Sequence, residues 1–365
     1  MRILLTTDAV GGVWQYTAEL ARALAAEGVD CVVASLGPAP SADQRAMLDG
    51  EAITLVETAL PLDWMCAGAA PVLAAGEAIA ALAVAHAVDL VHYNMPTLAA
   101  AAAPLPMPAI AVAHGCVSTW WEAAKGTPLA RDYRWHRALT ADGLRAVDAV
   151  VAPTAAYAGI VDRHYRLDRA PRAIHNGRTP PHVPQDAVAP ADVALTVGRL
   201  WDGVKNAALL DRAAARLPIP FLAAGAARGP HGETIRLEAL RELGVLSGEQ
   251  IAAHLAKRPI FVSAASFEPF GLAVLEAAQA GCALVLADIP TFRELWDGVA
   301  RFVALDGAWC EAIEALVLDR AERARLGDAA RSRAARYTPQ ATAAGMLALY
   351  RDTIAAHPAA RKVAA

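Results

Sequence analysis

Short apolar runs alternate with longer segments in which apolar residues recur every three or four positions. The runs at Arg2–Thr7, Cys31–Ala34, Ile53–Val56, Leu90–His92, Ile110–Ala113 and Val150–Ala152 are largely apolar without strict alternation. That pattern predicts strands covered on both faces, as in a parallel sheet. After the first run a helix is predicted from about Gly12 to Glu27. Val13, Thr17, Leu20 and Leu24 fall on one face, Gln15, Glu19 and Arg22 on the other, and Gly28 suits the stop. The second half repeats the alternation, with strands predicted at Ala194–Val197, Phe221–Ala224, Ile260–Val262 and Ala283–Leu286. Arg293-Glu294 is read as another helix start. Thr338-Pro339 predicts a final one, with Thr as cap and Pro at the first position, carrying Met346, Leu349, Tyr350 and Ile354. Strand–helix alternation predicts doubly wound α/β sheets, whose ligands bind beyond the carboxyl ends of the strands.

The alternation is interrupted between Pro171 and Pro190, where Pro171, Pro180, Pro181, Pro184 and Pro190 accompany Gly177. This composition marks a domain boundary. With 365 residues, two domains are expected: residues 1–177 together with a C-terminal helix at about 340–365 crossing back, and residues 178–339. Hydrophobic residues at 56% and charged residues at 19% suffice for two cores. The formal net charge of −4 argues against a nucleic-acid partner, which needs a basic face. The five cysteines are scattered and form no C-x-x-C, which fits a reducing cytoplasm. Met1-Arg2 leads straight into a strand with no signal-peptide pattern, and no run of about 20 apolar residues survives its interruptions, so no membrane span is expected.

The stretch with the most chemistry is Ser263–Glu276, S-A-A-S-F-E-P-F-G-L-A-V-L-E. A strand ends, the chain turns at Glu268-Pro269-Phe270-Gly271, and a helix begins near Gly271. Free amides in the first turn of that helix form an anion site. Glu276 lies about 7–8 Å further along the axis, at roughly 1.5 Å per residue. Two carboxylates with amides between them suit a sugar, a diphosphate and a ribose in sequence. E-P-F-G-L-x-V-L-E-A resembles the donor-binding signature of family-4 retaining glycosyltransferases, whose GT-B fold has two facing Rossmann-like domains. The resemblance implies that Glu276 binds the ribose diol of a nucleotide sugar, while Glu268 and the groups at Phe270, Gly271 and Leu272 face sugar and phosphate.

Other segments extend the resemblance over nearly the whole chain. Gly11-Gly12 and the following helix look like the family's first loop, which lies over the donor phosphate and the acceptor. The loop lacks G-x-G-x-x-G, and no acid ends the second strand, so a nicotinamide cofactor is poorly supported. Ala113-His114-Gly115 resembles the first-domain histidine that approaches the donor sugar. Arg199 and Lys205, in V-G-R-L followed by K-N, are similar to the family's cation pair for the diphosphate, with Lys205-Asn206 read as starting a helix. Leu243–Ser247, with Val245 at its centre, resembles the segment that cradles the base through backbone groups. Asn176-Gly177 matches the family's hinge step. Arg178 departs from it, standing where an apolar residue and an acid are usual, which leaves the hinge contact open.

Trp120 and Trp121, read at the start of a loop containing Lys125-Gly126, either stack on an acceptor sugar or pack beneath that loop. The arginines Arg131, Arg134, Arg137 and Arg145 either form a solvated face or meet an anionic lipid or phosphate-bearing acceptor, giving peripheral membrane contact. Cys116 beside His114 invites a nucleophile reading, but a small buried residue fits better.

The resemblance implies a retaining transfer of a sugar (hexose transfer foremost) from a UDP-, GDP- or ADP-linked donor to a hydroxyl acceptor: glycan, lipid-linked or small molecule. The chain contains no D-x-D, and Arg199 and Lys205 offer positive charge to the leaving diphosphate. Metal-independent chemistry without a cofactor is therefore expected. A sugar-nucleotide epimerase or hydrolase, or a non-catalytic nucleotide-sugar sensor, are the alternatives.

Overall fold

The computed structural model describes residues 1–101, 105–180, 190–230 and 232–357. Pro181, Pro184 and the end of the expected C-terminal helix lie outside the described residues. The chain divides into two compact units, Met1–Gly177 with Pro339–Ala365, and Arg178–Thr338.

In the first unit seven parallel strands form one sheet: β1 (Arg2–Asp8), β2 (Asp30–Leu36), β3 (Ile53–Glu57), β4 (Leu90–Tyr93), β5 (Ala109–Val112), β6 (Ala149–Ala152) and β7 (Arg172–Ala173). Their order is β3-β2-β1-β4-β5-β6-β7, with Leu4 of β1 in register with Val32 of β2 and Val91 of β4. The strands are short and apolar because helices cover both faces, so there is no solvent face to require alternation. The strand order reverses between β1 and β4, and the loops leaving those two strands diverge. Such a switch point is where open α/β sheets bind their ligands.

The helix Gly12–Ala26 follows β1 and packs against the final helix, Pro339–Ala356, as well as against the sheet. Trp14, Leu20 and Leu24 join Met346, Leu349 and Tyr350 in one core cluster. Covering on two sides corrects the expected polar face: Glu19 is buried, only 9% exposed. A second correction concerns Trp120 and Trp121. They lie inside a helix, Val117–Lys125, with Cys116 as its N-cap and Gly126 (φ +59°) ending it in the left-handed conformation. The short β7 carried no legible signal, since both of its residues are exposed.

In the second unit six parallel strands follow: β8 (Ala194–Val197), β9 (Phe221–Ala224), β10 (Arg241–Gly244), β11 (Ile260–Ser263), β12 (Leu284–Ala287) and β13 (Arg301–Val303). Their order, β10-β9-β8-β11-β12-β13, repeats the first unit's pattern, with its own reversal between β8 and β11. Phe261, Val262, Leu284 and Leu286, all at most 1% exposed, pack with Phe292 and Trp296 in its core. The helix expected from Arg293 begins three residues earlier, at Pro290, where a proline at the first position sacrifices no hydrogen bond. Strands β10 and β13 were unmarked in sequence because β10 is mostly exposed and β13 is only three residues long.

All five cysteines are free thiols. Among the described residues, no helix is long and apolar enough to cross a membrane.

Candidate active site

The second unit gathers most of the candidate residues at its β8/β11 reversal. β11 ends at Ser263, the chain turns through Glu268, and the helix Leu272–Gln279 starts after Gly271. Gly271 is the N-cap, with φ +91°, a backbone conformation that L side chains rarely adopt. An added Cβ there would press on Phe292 at 3.1 Å and Glu268 at 3.3 Å, so the glycine also lets Glu268 lie close against the helix start. The first-turn amides of that helix have no intrahelical acceptors and carry the positive end of the helix dipole.

Glu268 meets a cation there. Lys205 Nζ stands 2.5 Å from Glu268 Oε2, with both side chains 21% exposed. Lys205 does not open a helix, as expected from sequence, but closes a 3-10 turn, Gly203–Lys205. Asn206 adopts the left-handed conformation before the helix Ala207–Ala214. The Asn206 side-chain amide donates to the Ala264 carbonyl at 2.8 Å, and the Ser266 amide donates to the Val204 carbonyl at 2.8 Å. These two bonds tie the segment after β8 to the segment after β11, which is why Lys205 and Glu268 meet. A small cavity is lined here by Thr196, Gly198, Lys205, Ser263, Glu268 and Gly271.

Arg199 and Glu276 do not line that cavity. Arg199 is held by Asp202, with its Nη2 2.8 Å from Asp202 Oδ2, and the Arg199 side chain is 60% exposed while that of Asp202 is 1% exposed. The guanidinium also lies over the Trp201 ring, 5.6 Å from its centroid. Asp202 was missed from sequence, although its position three residues after Arg199 was a usable signal. Its other oxygen accepts from the Val204 amide at 3.3 Å and so shapes the turn that delivers Lys205.

Glu276 lies one turn into its helix and is paired with Arg178, as Nε to Oε1 at 2.7 Å. Arg178, noted in sequence only as a departure from the family pattern, is thus the direct partner of a candidate ribose-binding carboxylate. Phe270 contributes no side chain to the site: it is 3% exposed and sits edge-on to Tyr337, with centroids 5.9 Å apart. Leu272 opens the helix and is part-buried. Val245, by contrast, is 77% exposed just beyond β10. Ser247 caps the next helix through a reciprocal bond with Gln250. Gly225, after β9, approaches Gly198, after β8, so closely that a Cβ would fall 1.7 Å from the Gly198 carbonyl oxygen.

In the first unit, Gly11 and Gly12 lie exposed at the helix start after β1, and a Cβ on Gly11 would meet nothing within 4 Å. His114, just beyond β5, is half-buried with its ring edge-on to Tyr16 at 4.5 Å. Its Nε2 is 2.8 Å from Asn94 Oδ1. Burial, and after it the neighbouring His92, lower the His114 pKa to about 3, so the ring is neutral. Trp120 and Trp121 pack edge-on to each other at 6.4 Å, and Trp121 donates to Thr127 Oγ1 at 3.3 Å. Their stacking is thus partly satisfied within the unit.

Comparison with known proteins bears on the family and the fold. Residues 10–180 match the model described as Glycosyltransferase Family 4, and residues 189–333 match Glycosyl transferases group 1. No curated protein matches the chain in sequence. Among solved structures, the sucrose-phosphate synthase of Thermosynechococcus elongatus superposes with a TM-score of 0.76 at 18% identity, over 98% of this chain and 100% of that one. The Anabaena protein Alr3699/HepE, crystallised with UDP-glucose, gives 0.75 at 18% identity over 96% and 100%. A glycosyltransferase from Rickettsia africae gives 0.72 at 17% identity over 98% and 99%. With both halves matched by glycosyltransferase models and two parallel-sheet α/β domains of the GT-B type, the chain belongs to the family-4 glycosyltransferases.

Proposed function

We propose that this glycosyltransferase moves a sugar from a nucleotide-sugar donor to a hydroxyl acceptor with retention of configuration and without a metal ion. The observation that carries the reading is the meeting of Lys205, Glu268 and the Gly271 helix start at the β8/β11 reversal. Breaking a glycosyl–phosphate bond builds negative charge on the leaving diphosphate. Lys205 and the helix amides supply fixed positive potential for it, and Arg199, steered by Asp202, adds a two-pronged donor. With the diphosphate there, Glu268 accepts hydroxyls of the sugar, and Glu276, a turn further along, accepts those of the ribose. The Lys205–Glu268 bond keeps the two side chains aligned and is exchanged for phosphate and hydroxyl contacts on donor binding.

In this reading the two carboxylates hold hydroxyls rather than flank a bond as an acid and a nucleophile. That placement supports front-face attack, in which the departing phosphate takes the acceptor proton. The solved complex of the Anabaena protein with UDP-glucose supports a uridine-linked donor as the first to try.

The test is a thermal-shift panel of UDP-, GDP- and ADP-sugars, followed by transfer assays with the stabilising donor. A ligand at 100 times its Kd should add about 2.7 kcal/mol of stability. Transfer with the anomeric configuration kept is the expected result. Product of inverted configuration, or rapid donor conversion with no acceptor, would refute the reading in favour of an inverting enzyme or an epimerase or hydrolase.

A further inference from the structure

Asn94, at the end of β4, is at the centre of a hydrogen-bond network in the first unit, and every polar atom of its amide is committed. Its Nδ2 donates to the Thr6 carbonyl at 2.7 Å and to Thr17 Oγ1 at 3.1 Å. Thr17 spends its own hydroxyl proton on the Val13 carbonyl at 2.8 Å, so it meets Asn94 only as an acceptor. The Asn94 backbone amide is anchored as well, to Thr6 Oγ1 at 2.9 Å. These partners fix which end of the amide is nitrogen: a flipped side chain would set its oxygen against the Thr6 carbonyl. Asn94 Oδ1 therefore faces two imidazoles as an acceptor, His92 Nε2 at 3.0 Å and His114 Nε2 at 2.8 Å. Each ring must donate an Nε2–H to it. In His92 the remaining nitrogen, Nδ1, accepts from the Tyr350 hydroxyl at 2.7 Å, a phenol that burial keeps protonated. In His114, a neutral ring, the proton on Nε2 leaves Nδ1 as a bare lone pair.

Resting on the reading that His114 touches the donor sugar, we infer that Asn94 is a positioning residue that sets the tautomer of His114, so that this histidine meets its substrate through Nδ1 as a hydrogen-bond acceptor. The polarity decides what His114 can recognise. A bare Nδ1 takes a hydrogen bond from a sugar hydroxyl and repels a phosphate or carbonyl oxygen. His114 therefore discriminates among sugars by the presence of one hydroxyl. The signal is faint in sequence because Asn94 and His114 are 20 residues apart and on different strands' loops.

The experiment is long-range proton–nitrogen NMR on the 15N-labelled full-length enzyme without donor, with the His114 signals identified by their loss in His114→Gln. The expected spectrum shows His114 with a protonated Nε2 and a bare Nδ1. A proton on Nδ1 would overturn the inference whatever the enzyme transfers, so its failure is separable from failure of the proposed function. In Asn94→Ala the ring should become a mixture of both tautomers, and kcat should fall about tenfold, the loss of one well-made hydrogen bond. An unchanged single tautomer in that variant, or a changed tautomer with unaltered kcat, would equally sink the assignment. The wild-type spectrum decides the tautomer even if Asn94→Ala does not fold.

Discussion

Arg178 donates its Nε–H to Glu276 Oε1 at 2.7 Å, and the two side chains are 19% and 18% exposed. The arrangement is braced by Gln279, whose side-chain amide donates to the Arg178 carbonyl at 2.7 Å. A carboxylate proposed to hold a ribose is thus oriented by an arginine from the segment where the second unit begins. Replacing Arg178 by Met should lower stability by about 1–3 kcal/mol, since it strands a largely buried carboxylate. It should also raise KM for the donor about threefold or more through loss of that orientation. Glu276→Gln should raise the donor KM by about tenfold. Thermal unfolding and initial rates check both; a fall in KM for Arg178→Met would mean that Arg178 competes with the donor for Glu276.

Lys205→Ala and Arg199→Ala should each reduce turnover at least about tenfold to a hundredfold, because in the proposed mechanism each removes positive charge from the leaving group. Asp202→Asn should reproduce part of the Arg199 loss, as the neutral amide holds the guanidinium less firmly. Donor consumption at the wild-type rate in either cation variant would show that the diphosphate leaves elsewhere.

If the proposed mechanism holds, activity should survive exhaustive dialysis against EDTA, because fixed cations and helix amides would do the work of a divalent ion. Assays before and after chelation, with magnesium or manganese restored, are sufficient. Loss on chelation and recovery with metal would count against the mechanism.

The paired histidines of the first unit make stability depend on pH in a defined direction. Burial lowers the pKa of His92 to about 4, and burial with its neighbour lowers that of His114 to about 3. Both folded values lie below the ordinary one near 6.5, so the unfolded chain takes up protons that the folded chain refuses. Stability is therefore full above about pH 6.5 and declines as the pH drops toward 4 and 3. By pH 5 the loss should be about 2 kcal/mol for each histidine. Melting curves between pH 8 and 4 should show this, and His92→Gln should flatten the slope. A variant slope equal to that of the wild type would place the pH sensitivity in other groups.

Gly225→Ala should be severely destabilising. Its φ of +138° disfavours any side chain, and the new Cβ would collide with the Gly198 carbonyl. Since that contact holds together the loops after β8 and β9, the soluble fraction and any donor-induced stabilisation should both drop sharply. A wild-type melting temperature would show that the loops can separate without penalty.

The strands and helix starts were largely legible because they follow from local chemistry. Apolar runs marked β1, β8, β9 and β11, Gly28 marked a helix end, and Pro339 a helix start. The errors arose from packing that the local pattern does not show and from a helix start with an unusual cap. Glu19 was assigned to a polar face, but its helix packs against both the sheet and the final helix and Glu19 is buried. The two tryptophans were read as loop residues, yet they belong to a helix capped by Cys116. The Phe270 ring belongs to the core beside Tyr337, so any part Phe270 has in the site falls to its backbone.

The amino-acid order by itself determined the alternation of strand and helix, the placement of glycine and proline at turns, and the block from Glu268 to Glu276, because each depends on residues within a turn or two of one another. Only the tertiary structure decided which charges and amides meet. Lys205 reaches Glu268 across 63 residues and Arg178 reaches Glu276 across 98, while Asn94 joins His114 to β1 and the helix behind it. The reason is geometric: a parallel sheet returns every strand to the same edge, so the groups that act together come from loops far apart in the chain.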